Sequence, residues 1–223
     1  DPAEINFVVV TCGDYPRRDD PEKGHKIYDA MLKLQPDFFV HTGDIEYYDK
    51  ALPWGPAPEL ARFKWNRFYA LPYQRAFHGA VASYFMKDDH DTLCNDCWPG
   101  QRYGALTWEQ GLAIFHEQVP MGERTYRTFR WGKDLQLWLV EGRDFRSPNT
   151  LRDGPEKSIW GPEQKAWFKH TVQESDAAFR VLISPTPLVG PDRENKNDNH
   201  ANAGFAHEGN ELRAFMASMK NMI

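Results

Sequence analysis

Short apolar runs recur along the chain, and each ends abruptly in polar or turn-forming residues. Residues 5–11 (INFVVVT) lead into Cys12-Gly13-Asp14, and Phe38, Phe39 and Val40 lead into His41-Thr42-Gly43-Asp44, then Glu46, Tyr47, Tyr48 and Asp49. Residues 82–86 (ASYFM) lead into Lys87-Asp88-Asp89-His90-Asp91, and residues 179–184 (FRVLIS) into Pro185-Thr186-Pro187. Runs of this length, bounded this way, predict core strands. In residues 21–34, Ile27, Ala30, Met31 and Leu34 recur with the spacing of an amphipathic helix. Strand, helix and strand in that order predict a βαβ unit with parallel strands and a right-handed crossover. Further helices are expected over 59–77, broken or kinked near Pro72, over 108–118, closed by Pro120, and over 162–174 and 207–222. Residues 126–131 and 135–141, separated by Gly132-Lys133-Asp134, read as a hairpin, whereas 98–103 read as irregular. Residues 53–58 form a Pro-rich loop, and 190–202 a long polar one. The order is that of an α/β protein without repeat or linker, and the expectation is one domain over residues 1–223.

Composition narrows the function classes. A formal net charge of −5 leaves no electrostatic footprint for nucleic acid or an anionic membrane surface. No apolar run approaches the ~20 residues of a membrane-spanning helix. The chain opens on Asp1-Pro2-Ala3-Glu4 without a leader pattern, as expected of a processed, exported protein. Eight Trp and fourteen Phe predict a heavily packed interior. An aromatic cleft wall of Trp54, Trp65, Tyr69, Tyr73 and Trp98 is the alternative, and packing is the stronger expectation. Three cysteines are an odd count. Cys94 and Cys97 form a lone CxxC that lacks the second pair a structural zinc site needs, leaving a local disulfide or two thiols.

The candidate chemistry lies at the strand ends. Parallel neighbouring strands bring Cys12-Gly13-Asp14, Gly43-Asp44 and Asp89-His90 to one rim, where α/β sheets place their ligands. Carboxylates gathered there repel one another unless a cation neutralises them or one takes a proton. A thiol, a phenol, carboxylates and a histidine match the composition of a multi-metal hydrolytic centre. Each residue also has a plainer fate: Cys12 as a buried thiol, Tyr47 as a packed ring, Asp88–Asp91 as a solvated turn. His78, His116, His170, His200 and His207 show no usable spacing and read as surface or core residues.

Gly43-Asp44 followed by Asp89-His90 resembles the calcineurin-like metallophosphoesterases, and the finer pattern resembles their PhoD-like alkaline phosphatase branch. That finer pattern is Cys12, Gly43-Asp44 with Tyr47, Asp88-Asp89-His90-Asp91, Asn95, Arg143 with Arg146, and Trp160-Gly161-Pro162-Glu163-Gln164 with Trp167. The resemblance implies a layered αββα fold with central mixed sheets flanked by helices. It implies hydrolysis of phosphoric esters, monoester or diester, by a metal-bound hydroxide. Asp44 would bridge two metals about 4 Å apart. Cys12 and Tyr47 would hold one of them, with iron and calcium as the implied ions. Asp89 would be a ligand of the second metal and Asn95 its support. His90 would orient or protonate the leaving oxygen, and Arg143 would clamp phosphate. A secreted protein, extracellular or periplasmic, is also implied.

The chain departs from the pattern at some positions. Glu141 stands where many PhoD-like chains have Asp, and Ser184-Pro185-Thr186-Pro187 where the superfamily places a histidine. The family's last metal motif is expected beyond Met222, so the expectation is a C-terminally incomplete domain, with a separate C-terminal fragment as one source of the missing ligands. A degenerate phosphatase fold with a non-catalytic binding role is the rival reading.

Overall fold

The computed structural model describes residues 4–50, 53, 56–190, 192–193 and 195–223. The expectations for Asp1, Pro2, Ala3 and Trp54, and the loop positions Gly55, Pro191 and Glu194, lie outside the described residues. The chain divides into two compact units, one running to Met121 and one from Gly122 to Ile223.

The first unit is built on a parallel three-stranded sheet: β1 (Phe7–Val10), β2 (Phe38–His41) and β3 (Ala82–Phe85), in that spatial order. Helix α1 (Lys26–Lys33) is the crossover from β1 to β2. It starts later than the apolar spacing predicts because Asp20 Oδ1 accepts the backbone N–H of Glu22 (3.0 Å) and Lys23 (2.9 Å), holding that segment in a turn. The expected long helix is two, α2 (Pro58–Tyr69) and α3 (Pro72–Ala80). Leu71 is extended, as a residue before proline prefers. On the helix-covered face of the sheet, Phe39 packs edge-on against Phe77 at 5.1 Å between ring centroids, with Tyr28 of α1 at 6.2 Å. Trp65 and Tyr69 stack on each other inside this core, so these two rings are packing. A small hairpin, β4 (Arg102–Tyr103) with β5 (Leu106–Thr107), occupies the stretch read as irregular. It leads into α4 (Trp108–Gln118), opened by a Thr107–Gln110 capping box.

The second unit carries β6 (Arg127–Trp131) antiparallel to β7 (Leu135–Leu139), and β8 (Phe179–Ile183) parallel to β7. Helix α5 (Gly161–Glu174) is the β7–β8 crossover, and Trp138 Nε1 donates to Thr171 Oγ1 on it at 2.9 Å. Trp138, Trp160, Phe168, Phe205 and Leu212 form the core with helix α6 (Ala206–Ser218). That helix ends before the expected Met222. Residues 221–223 run along β8 instead, where Leu182 N–H donates to Ile223 O and Ile223 N–H to Arg180 O, each at 2.8 Å. Among the described residues no helix is long and apolar enough to cross a membrane.

Candidate metal centre

The parallel register sets the first unit's three strand ends level, with Val10 opposite His41 and His41 opposite Phe85. The loops beyond them are locked backbone to backbone. Cys12 N–H donates to Gly43 O at 3.1 Å and Gly13 N–H to Asp44 O at 2.6 Å. Gly43 has φ +108°, and a Cβ there would meet the backbone of Asp88 at 2.5 Å, so only glycine fits between these loops. Cys12 (φ 63°) and Asp44 (φ 55°) both sit in the left-handed region, a sparsely populated conformation that the surrounding hydrogen bonds enforce. Asp91, fully buried, stitches the second and third loops together: its carboxyl accepts Ile45 N–H at 3.0 Å and Asp88 N–H at 2.7 Å.

Within this frame one ligand atom from each of Asp44, Asp89 and His90 lies within 4.8 Å of the other two. Asp44 Oδ2 also accepts from Tyr47 OH at 3.2 Å and Cys12 Sγ at 3.7 Å. Asp44 Oδ1 is buried and has no hydrogen-bond partner among the described residues. Asp89 Oδ2 accepts the Asp96 amide at 2.5 Å. His90 Nδ1 meets Asp49 Oδ1 at 2.6 Å, so Nδ1 carries the proton. Asp49 Oδ2 in turn accepts the backbone N–H of Asn95 at 2.9 Å. Asn95 therefore supports this corner through its amide, with its side chain in an exposed position. The loop 47–50 is fixed from below by Lys64 of α2, whose ammonium donates to the carbonyls of Tyr47 (2.6 Å), Tyr48 (3.3 Å) and Lys50 (2.7 Å).

Electrostatics shows what this arrangement lacks. Burial, then the charges of Asp88, Asp89 and Asp91, push the Asp44 carboxyl up to about 8. Burial also lifts Glu46 to about 8 and Asp91 well above the carboxylate range. The Cys12 thiol and Tyr47 phenol are raised too, by burial first and by Asp44 beside them. Burial alone would lower His90, but its bond to Asp49 and the surrounding carboxylates outweigh it and raise the imidazole. An acidic cluster with an orphaned buried oxygen favours a positively charged ligand. A thiol, a phenol, carboxylates and an imidazole around that oxygen are a donor set that fits metal cations.

Arg143 belongs to the second unit, 1% exposed, with Nη2 3.6 Å from Asp198 Oδ2. Cys94 and Cys97 are free thiols, as is Cys12, and Cys97 Sγ donates to Asp89 O at 3.4 Å. Asp49, Lys50 and Lys64 had no signal that assigned them a part. Asp49 and His90 are 41 positions apart, and no local spacing links them.

Among the curated proteins none matches the chain. Among solved structures it is similar to the structure of PhoD, with a TM-score of 0.81 at 17% sequence identity. The match covers 98% of this chain and 49% of that one, so the chain spans about half the length of that relative. At that identity the likeness establishes the fold, which is α/β as the strand and helix order predicts. The family model for PhoD-like phosphatases matches residues 7–223, and the chain belongs to the PhoD-like phosphatase family.

Proposed function

We propose that this protein hydrolyses phosphoric esters with the help of metal ions held by Asp44, Cys12, Tyr47 and Asp89. The observation that carries the reading is Asp44: one oxygen orphaned in a buried site, the other shared by a thiol and a phenol, with three further carboxyls raising its pKa. Bound cations supply Lewis-acid charge to phosphoryl oxygens and lower the pKa of water toward ~7. Cys12 and Tyr47 give up their protons on ligation, so loading is tighter at higher pH. The thiolate and phenolate favour ferric iron, and the all-oxygen positions favour calcium. Asp91 and Lys64 keep the loops that carry these donors in register.

The protein's own acid–base group is His90. Asp49 fixes its ring through Nδ1, leaving Nε2 to carry a proton to the leaving oxygen of the ester. Asn95, by the family resemblance, is proposed to support the second metal. This reading takes residues 1–223 as one catalytic domain and, from the family resemblance, places the protein in the periplasm or outside the cell. The test is Asp44→Ala, which is expected to abolish both metal loading, read by elemental analysis, and turnover of a chromogenic phosphate ester. Unchanged turnover in that variant overturns the mechanism. Purified wild-type protein free of iron, calcium and zinc overturns the metal assignment.

A further inference from the structure

Lys50 stands beside the proposed centre without a part in it. It is an exposed residue whose ammonium reaches back to a part-buried contact. Nζ donates to Nε2 of His90 at 3.1 Å and lies 4.7 Å from the centroid of the Tyr47 ring. Its own carbonyl is held by Lys64, so the backbone from which it projects is fixed. Carboxylates are plentiful nearby, but among the described residues Lys50 pairs with none of them: Asp49 is taken by His90 and the Asn95 amide. The ammonium thus has only a neutral ring nitrogen and an aromatic face as partners.

Both partners are weak for a full positive charge. A hydrogen bond from an ammonium to an anionic oxygen is about twice as strong as one to a neutral acceptor. Building on the phosphatase reading, we propose that Lys50 is a substrate-binding residue that takes a non-bridging phosphoryl oxygen and selects dianionic phosphate monoesters over monoanionic diesters. An anion entering beside Asp44, Asp89 and His90 draws Nζ from Nε2 onto its own oxygen. The same movement frees Nε2 to take up a proton from solvent, the proton that the proposed mechanism passes to the leaving oxygen. Without substrate, Lys50 rests on the histidine. A second negative charge on the phosphoryl group strengthens the contact, and a second ester group both removes that charge and fills the space.

The experiment compares Lys50→Met and Lys50→Arg with wild type in the full-length, metal-loaded protein. An aryl phosphate monoester and the corresponding bis-aryl diester serve as substrates, and inorganic phosphate as the binding probe, followed by phosphorus NMR. Lys50→Met should raise the monoester KM and the phosphate Kd by about 10-fold or more, the loss typical of a charged hydrogen bond, with Lys50→Arg recovering part of it. The monoester-to-diester ratio of kcat/KM should fall about as much. Equal losses on the two esters, or an unchanged phosphate Kd, overturn the proposal. A wild-type protein that cleaves neither ester overturns the phosphatase reading instead. The phosphate Kd of the two variants then decides on Lys50 by itself.

Discussion

Asp44 in the first unit, half-buried, and Glu208 in the second, buried, are both carboxyls with a histidine close by, and they differ in what surrounds each oxygen. Glu208 Oε2 accepts from Ile159 N–H at 2.6 Å, from Trp160 N–H at 3.4 Å and from His200 Nε2 at 2.9 Å. Its Oε1 accepts from Ser158 Oγ, with Lys165 Nζ at 3.7 Å. Burial works against the charge, but these donors outweigh it and hold Glu208 below the usual glutamate range. Among the described residues Asp44 has no backbone donor and no ion pair on its side chain, and it is pushed up to about 8. A carboxylate supplied on both oxygens is a structural staple, here tying α6 to the segment before α5. One that is starved is ready to bind something positive. Residue type does not separate the two, since serine, histidine and acid also meet at Glu208; the supply of donors does.

The largest effect expected from this contrast is in Glu208→Ala. Removing the acid leaves two amides, a hydroxyl and an imidazole of the buried network without their acceptor. The second unit should lose about 3–5 kcal/mol, read by urea unfolding. A loss below about 1 kcal/mol would break the comparison, because the staple would then be no more than a tolerated charge. The cost should also shrink with acid. The folded pKa of Glu208 is depressed, so its contribution is present above the ordinary value of 4.5 and is lost as pH falls below it.

Lys64 extends the rule to a cation and to the first unit. Its ammonium has a carbonyl for each of its three hydrogens, though burial lowers its pKa. Lys64→Met keeps most of the stem and strands three carbonyls, so a loss of about 2 kcal/mol is expected. If the proposed function holds, phosphate-ester turnover falls with it, because the same carbonyls fix Tyr47 and Lys50. A variant as stable as wild type would show that the loop 47–50 holds its own shape.

Asp44→Asn should act in the opposite direction. In metal-free protein it removes a carboxyl whose ionised form is opposed by burial and by neighbouring acids. A modest gain of about 1 kcal/mol is expected, together with complete loss of metal loading. The sign of the pH dependence distinguishes it from Glu208. The folded pKa of Asp44, about 8, lies above the ordinary 3.8, so the folded state holds the extra proton between those values. Wild type therefore loses stability as pH rises across that window, by at most about 1.4 kcal/mol per unit. The variant, which cannot titrate there, should gain on wild type from pH 4 to 8 in thermal melts. A constant difference would mean that Asp44 is ionised throughout.

The sequence carried one side of this contrast and hid the other. Gly43-Asp44 and Asp89-His90 were legible because strand periodicity and parallel order bring three loop starts to one rim. Cys12, Asp44 and Tyr47 do meet there. The partners that fix them were not legible. Asp49 on His90, Lys64 on three carbonyls and Asp91 across two loops each join residues far apart in the chain or use backbone atoms that carry no signature. Glu208 and His200 were hidden for the same reason, His200 reading as an unremarkable histidine before the fold set it against an acid from α6. The late start of α1 was hidden too, because apolar spacing does not register an aspartate side chain competing for backbone amides. Periodicity reports faces and strand ends; the pairing of polar atoms depends on loop paths that the tertiary fold alone determines.

The smallest effect on folding, and the finest test of the starved site, is expected in Cys12→Ser. Cys12 is an exposed residue whose partly shielded thiol donates a long bond of 3.7 Å to Asp44, which a hydroxyl replaces with little change in volume. Stability should move by less than about 0.5 kcal/mol. What changes is the donor set. With sulfur present the site offers a soft thiolate and a phenolate to one cation; with serine it offers only hard oxygens. Titrating ferric iron into metal-free wild type should develop a thiolate charge-transfer band in the visible, along with the phenolate band from Tyr47. The serine variant should keep only the latter, and Tyr47→Phe only the former. A wild-type spectrum that survives Cys12→Ser would remove sulfur from the first metal. Asp44 would then be satisfied by oxygen donors alone, and the left-handed backbone at Cys12 would need a reason in loop packing instead of ligation.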